Sequence, residues 1–308
     1  GLRIQKMTSD AKEYSNGCAI ADRFDGSHLV IRGNEIAYNY SFEKEAAVRL
    51  SGGGRHVLIE DNEIHDNPHN AGILVTIHDS TVRNNTLRKN GGTAVDFYGC
   101  KNSRLVGNTV TDHTGVHANG LTLYLHCEGC FVAYNRVTDG YCALTIQDAK
   151  DITVAYNILH TDRDTYTAID WGGTRRGSHG LYYYNNVILN DHGKALGKGR
   201  STTNVVVRNN ILDGYGGGSG DHVSHNIYTS LFWNQKSQYK WSLGKGESIV
   251  NDKATLFVDP AKHDYRLKAG SPAIDAGTDV KLDRDFTGAR TPAGQAPDIG
   301  AYEVQPAE

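Results

Sequence analysis

Between Arg104 and Trp171, short runs of alternating apolar and polar residues follow one another, and one phrase returns three times. It is a β-rich run ending in Asn, then a variable residue, then an apolar one: Arg104-Leu-Val-Gly-Asn108-Thr-Val110, Phe131-Val-Ala-Tyr-Asn135-Arg-Val137 and Thr153-Val-Ala-Tyr-Asn157-Ile-Leu159. Between copies lies a second alternating run: Leu121-Thr-Leu-Tyr-Leu125, Leu144-Thr-Ile146 and Ile169-Asp-Trp171. The period is two residues and no helical period intervenes, so each unit predicts strand, turn, strand.

The Asn recurs at Asn34, Asn62, Asn85, Asn186, Asn210 and, weakly, Asn226. Successive positions from Asn34 to Asn226 differ by 28, 23, 23, 27, 22, 29, 24 and 16 residues, which is the scale of one solenoid coil. A unit so short cannot bury its own apolar face, so consecutive units must stack and share one core, pairing strands in parallel at about 4.8 Å. Asn tolerates the left-handed turn conformation, and stacked amides bond along a ladder, which assigns the repeat to architecture.

This pattern, over roughly Leu2 to Tyr228, resembles the right-handed parallel β-helix superfamily of pectate-lyase-like carbohydrate-active proteins. Ser271-Pro-Ala-Ile-Asp-Ala-Gly277 and Asp298-Ile-Gly-Ala-Tyr-Glu303 resemble the closing segment found after many such helices. The resemblance implies an all-β fold, a right-handed parallel β-helix solenoid over residues 1–230 with an irregular C-terminal capping and closing segment over 231–308. It implies a polysaccharide or oligosaccharide partner and specifies the reaction poorly.

A chain of 308 residues, 38% hydrophobic, can bury the core of one elongated solenoid. Gly 35 with Pro 6 suits a turn-rich β protein. A net charge of −3 gives no reason to expect nucleic acid, and no apolar run is long enough to span a bilayer. The opening Gly1-Leu-Arg-Ile4 reads like the middle of a coil, so a removed leader and a secreted or periplasmic location are expected, with the protein a monomer. Five cysteines, Cys18, Cys100, Cys127, Cys130 and Cys142, form no regular framework. Cys127-x-x-Cys130 alone is weak evidence for zinc. Cys100 and Cys127 fall in equivalent turns, where an oxidising compartment would permit a disulfide. No spacing defines a calcium loop; no metal ligand is assigned, and Ca²⁺ is carried as an option because Asp and Asn are plentiful.

Along the chain, Glu13 to Gly26 reads as a loop excursion, and larger insertions fall at His113 to Asn119, Thr161 to Thr167 and Gly172 to His179. Such loops project from a solenoid as groove walls. Tyr215-Gly-Gly-Gly-Ser-Gly220 breaks the repeat, and Phe232, Trp233, Tyr239 and Trp241 are expected to cap the end of the core.

If Val95, Phe97, Leu123, Leu125, Leu144, Ile146, Ile169 and Trp171 point inward, their alternate neighbours point out. Two outward columns follow: Thr76, Asp96, Tyr124, Thr145, Asp170, and His78, Tyr98, His126, Gln147, Gly172. Tyr98, His126, Tyr124, Asp96 and Asp170 are the catalytic candidates, because a phenol beside a histidine can exchange protons with a substrate. His78, His117, Gln147, Arg175, Arg176 and Lys194 are the substrate-binding candidates; Arg forks match a uronate or sulfate, and Lys198 and Arg200 lie nearby.

Three chemistries fit. A lyase acting on an acidic polysaccharide needs a cation on the uronate carboxylate, a base and an acid, roles open to His126 or Arg175 and to Tyr98 or Tyr124. A C5-epimerase would use nearly the same parts. A glycoside hydrolase needs two carboxyl groups about 5 to 9.5 Å apart. In this register Asp96 and Asp170 are about 14 Å apart, leaving Asp148 with Asp170 or the loop carboxylates Asp112, Glu128, Asp162 and Asp164. A non-catalytic glycan-binding β-helix is the remaining class.

Overall fold

The computed structural model describes residues 2–5, 8–9, 18–41, 46–68, 71–113, 115, 118–138, 140–171, 177–192, 194–218, 220–230 and 242–306. Three parallel sheets run along the molecule, each taking one strand from each coil. The front sheet contains Ile20–Asp22, Ala46–Arg55, Ala71–His78, Val95–Tyr98, Leu121–Tyr124, Leu144–Gln147, Ala168–Asp170, Leu196–Lys198 and Tyr215–Gly216. The second sheet runs from Val30–Arg32 to His222–Ser224, and the third from Arg3–Gln5 to Ser248–Ile249. Every coil visits front, second and third sheet in that order. Among the described residues there is no α-helix, and no helix is long and apolar enough to cross a membrane.

Inward positions are aliphatic and often β-branched, which fits a pleated surface buried against its neighbours. Val95, Phe97, Leu123, Leu144 and Ile146 from the front sheet meet Leu105, Val132 and Val154 from the second and Val110, Val137 and Leu159 from the third. The repeated Asn forms a continuous buried ladder at the turn between the second and third sheets. Each side-chain Oδ1 accepts from the backbone N and Nδ2 of the Asn one coil earlier, as Asn157 does from Asn135 at 3.0 and 2.9 Å. The ladder extends from Asn34 to Asn226.

Four expectations change. Ile20–Asp22, placed in a loop excursion, is a front strand paired with Ala46–Arg55. Parallel pairing runs past residue 230, where the solenoid was expected to end: Ser248–Ile249 pairs with Ile227–Tyr228. Leu125 lies past the end of its strand at φ 36 and is not a core residue. The Cys100–Cys127 disulfide is not formed; all five thiols are free and buried. The Cys127 thiol instead donates to Phe97 O at 3.1 Å and the Cys100 thiol to Val75 O at 3.2 Å, so the turn geometry is already satisfied without a bridge. The aromatic cluster Phe232 to Trp241 lies outside the described residues.

The tail forms the closing segment. A short antiparallel pair, Phe257–Asp259 with Asp264–Leu267, packs with Ala273, Ile299 and Ala301 against Ile158, Val187, Leu189, Ile211 and Ile227 of the third sheet. Leu282 meets the cluster around Tyr156 on the second sheet. Its acidic residues accept backbone N–H bonds: Asp298 from Asp275 and Val304, Glu303 from Ala293 and Asp298. They hold the segment's turns together.

Candidate functional site

The outward face of the front sheet is fixed by strand pairing. Asp96 lies beside Thr122, Thr122 beside Thr145, and Thr145 beside Ile169. On the other side of Asp96 the file continues through Leu74 to Arg49. In the second file Tyr98 lies beside Tyr124 and Tyr124 beside Gln147; Trp171, whose N donates to Ile146 O at 3.0 Å, follows at the next coil.

These pairings correct the expected columns in two ways. Around the 113–119 insertion the register moves by two residues, so the neighbour of Tyr98 is Tyr124, not His126, while every side chain keeps its face. Around the 161–167 insertion it moves by one, which exchanges inside and outside. Asp170 is therefore paired with Ile146 and buried, accepting from Ser178 Oγ at 2.8 Å and from Thr202 Oγ1. Ile169, which pairs with Thr145, is buried as expected, whereas Trp171, also expected in the core, is 52% exposed. Asp170 is scaffold, not site.

The Tyr98 and Tyr124 rings lie 5.7 Å apart at 41°, and Tyr98 is exposed. Two residues earlier on the same strand, Asp96 is half-buried, and its Oδ1 makes no hydrogen bond. Burial without a compensating partner pushes its carboxyl up to about 7. Next in its file the Thr122 and Thr145 hydroxyls are also buried without a hydrogen bond. Buried polar groups are costly to leave unpaired, and a run of three in register marks a surface arranged for something other than folding. At neutral pH the carboxyl is poised to give or take a proton beside two phenols.

The other candidates lie around this centre. Gln147 stays in the Tyr98 file. His126 is exposed at φ 71, beyond the end of the Tyr124 strand, with its N donating to Asp148 O at 2.9 Å. His78 is not beside Tyr98: it lies across from Lys101, whose N donates to His78 Nδ1 at 3.2 Å. Burial, then Arg55 and Lys101, lower its pKa. Lys194, at the opposite edge of the sheet, pairs with Asp164 at 2.5 Å, and Lys198 is tied to Asp221. His117, Arg175 and Arg176 lie outside the described residues. Arg49, Thr122 and Trp171 were missed. The alternation of Ile169 and Trp171 did not reveal their side of the sheet, because the hydroxyls that receive Asp170 inside come from Ser178, after the insertion, and from Thr202 in the next coil. Among the described residues no group of three or more His, Cys, Asp or Glu is placed to hold a metal ion.

The family described as "Right handed beta helix region" matches residues 6–137 and 46–252. Among solved structures, XylC in complex with xylose is 13% identical with a TM-score of 0.55, covering 91% of this chain, and this chain spans 65% of XylC. Pectate lyase Pel9A is 12% identical with a TM-score of 0.53, covering 96% of this chain and 85% of its own. No curated protein sequence matches. At these identities the likeness is one of fold.

Proposed function

As the chain belongs to the right-handed β-helix family, we propose that it is a carbohydrate-active enzyme, a lyase that cleaves an acidic polysaccharide by β-elimination on the front-sheet face. The carrying observation is the Asp96–Tyr98–Tyr124 cluster. Among the described outward positions of the front strands, Asp96 is the one carboxyl group, and it is held near neutrality. Elimination from a uronate needs one group to remove the proton beside the carboxyl and one to protonate the leaving oxygen. Tyr98 or Tyr124 serves as the base, and Asp96 in its neutral form protonates the departing sugar. Arg49, in the Asp96 file two coils away at about 9.6 Å, supplies positive charge for the substrate carboxylate. Trp171 offers a flat apolar surface to a sugar ring.

A hydrolase would need a second carboxyl group across the scissile bond. With Asp170 turned inward and Asp148 accepting from Gly177 N at 3.0 Å, that partner is missing from the described face.

The test is incubation with a panel of acidic and neutral polysaccharides, following the ultraviolet absorbance of an unsaturated uronate together with reducing ends. Both signals should rise together on an acidic substrate. Reducing ends without that absorbance would reject elimination in favour of hydrolysis, and neither signal would leave epimerisation or binding without turnover.

A further inference from the structure

At the upstream edge of the front sheet, a cavity of about 300 Å³ is lined by His113, Gly115, Ala118, Tyr141 and Arg163 to Thr165. Its lining comes from three consecutive coils. Gly115 and Ala118 lead into Leu121–Tyr124, Tyr141 into Leu144–Gln147, and Arg163 to Thr165 into Ala168–Asp170. Gly115 allows the first of these loops to lie down on the coil before it: its φ is +132, and a Cβ there would meet Gly91 O at 2.4 Å.

The lining groups are chemically distinct. His113 is buried and its Nδ1–H donates to Gly92 O at 3.0 Å, which leaves Nε2 as an acceptor that makes no hydrogen bond. Burial lowers the pKa of this ring, so it is neutral at neutral pH. Tyr141 is 50% exposed and presents its ring to the cavity. Arg163 is exposed, with Nε 3.5 Å from Asp162. Asp164, the carboxylate in the lining, is already neutralised by Lys194.

An aromatic plate and a guanidinium around a space of this size match the ring and carboxylate of one uronic acid residue. We propose that this cavity is an anionic-sugar subsite at the edge of the front sheet, in which Arg163 pairs with the carboxylate and Tyr141 stacks on the ring, with buried His113 forming the floor. The proposal rests on the acidic-polysaccharide reading but concerns binding, so it is tested apart from turnover.

The experiment is calorimetric titration of the whole chain with a uronic acid trisaccharide and with the same trisaccharide after reduction of its carboxyl groups. Arg163→Ala should weaken binding of the uronate about tenfold or more and of the reduced sugar about twofold or less, with Arg163→Lys in between. Tyr141→Ala should weaken both sugars, since it removes the stacking surface, and circular dichroism melting would confirm that each variant folds. Asp96→Asn should leave the uronate affinity within about threefold, since it removes chemistry rather than the subsite. Equal affinity for both sugars, an unchanged Arg163→Ala, or no saturable binding of either trisaccharide would overturn the subsite. Uronate binding that depends on Arg163, without any elimination product from the unaltered protein, would uphold the subsite while removing the lyase.

Discussion

Asp96 is a liability to folding that the front face retains. Its folded pKa is raised above the ordinary carboxylate value to about 7, so the folded state binds its proton more tightly than the unfolded chain does. The stability cost is absent below the unfolded pKa, grows as pH rises through the interval up to about 7, and is complete above it. Asp96→Asn should therefore melt like the parent near pH 4 and be more stable by about 2 kcal/mol at pH 8, while losing turnover. A melting temperature that does not respond to this substitution at pH 8 would place the carboxyl in ordinary solvent. Tyr98 is exposed. Tyr98→Phe should lower turnover by about 100-fold or more with an unchanged melting temperature, measured on the acidic polysaccharide that the panel selects. Asp170→Ala should do the opposite. Ser178 and Thr202 lose their buried acceptor, at a cost of roughly 1–3 kcal/mol for each stranded group. Asp96, Tyr98, Tyr124 and Gln147 could be assigned to the outward face from local alternation alone, because each directly follows an inward aliphatic or aromatic residue on its own strand. Asp170 could not, because its inward partners lie beyond an insertion, at Ser178, and in the next coil, at Thr202.

At the level of strands, what the sequence conceals is loop length. Alternation orients each strand, but register between coils depends on how many residues an insertion ejects, and the hydrophobic pattern is silent about a shift of two. The Asn ladder was legible for the converse reason: the turn that carries it has nearly constant length, so its side chains meet at every coil. Each rung is bonded on both sides, and Asn135→Ala would remove the acceptor of Asn108 N and Nδ2 together with the Nδ2 donor to Leu105 O and Asn157 Oδ1. A loss of about 3 kcal/mol or more is expected in denaturant titration, larger than for any exposed position. The cysteines invite a simpler check. Because all five are free and buried, the native protein should resist a thiol reagent, release five equivalents on unfolding, and melt at the same temperature with or without reductant.

For the molecule as a whole, the family-like phrase and the closing motifs were enough to foresee a stacked spiral with a tail against it. They did not show where the tail docks, since that depends on apolar residues that the third sheet leaves facing outward. Removing residues 251–308 would expose Ile158, Val187, Leu189, Ile211 and Ile227, a row of aliphatic side chains on four successive strands. The truncated chain should bind a hydrophobic dye and associate at micromolar concentration, as seen by light scattering.

The closing segment bonds far back along the spiral. Asp298 O accepts from Asn185 Nδ2 at 2.8 Å, Thr278 O accepts from Asn209 Nδ2 at 2.7 Å, and Arg136 reaches His263 O at 3.3 Å. During synthesis the coils can stack as they emerge, amino end first, but this strap is made last. Synthesis that stalls before residue 251 thus leaves a spiral with one flank bare and sticky, and arrival of the strap turns an aggregation-prone intermediate into a covered one.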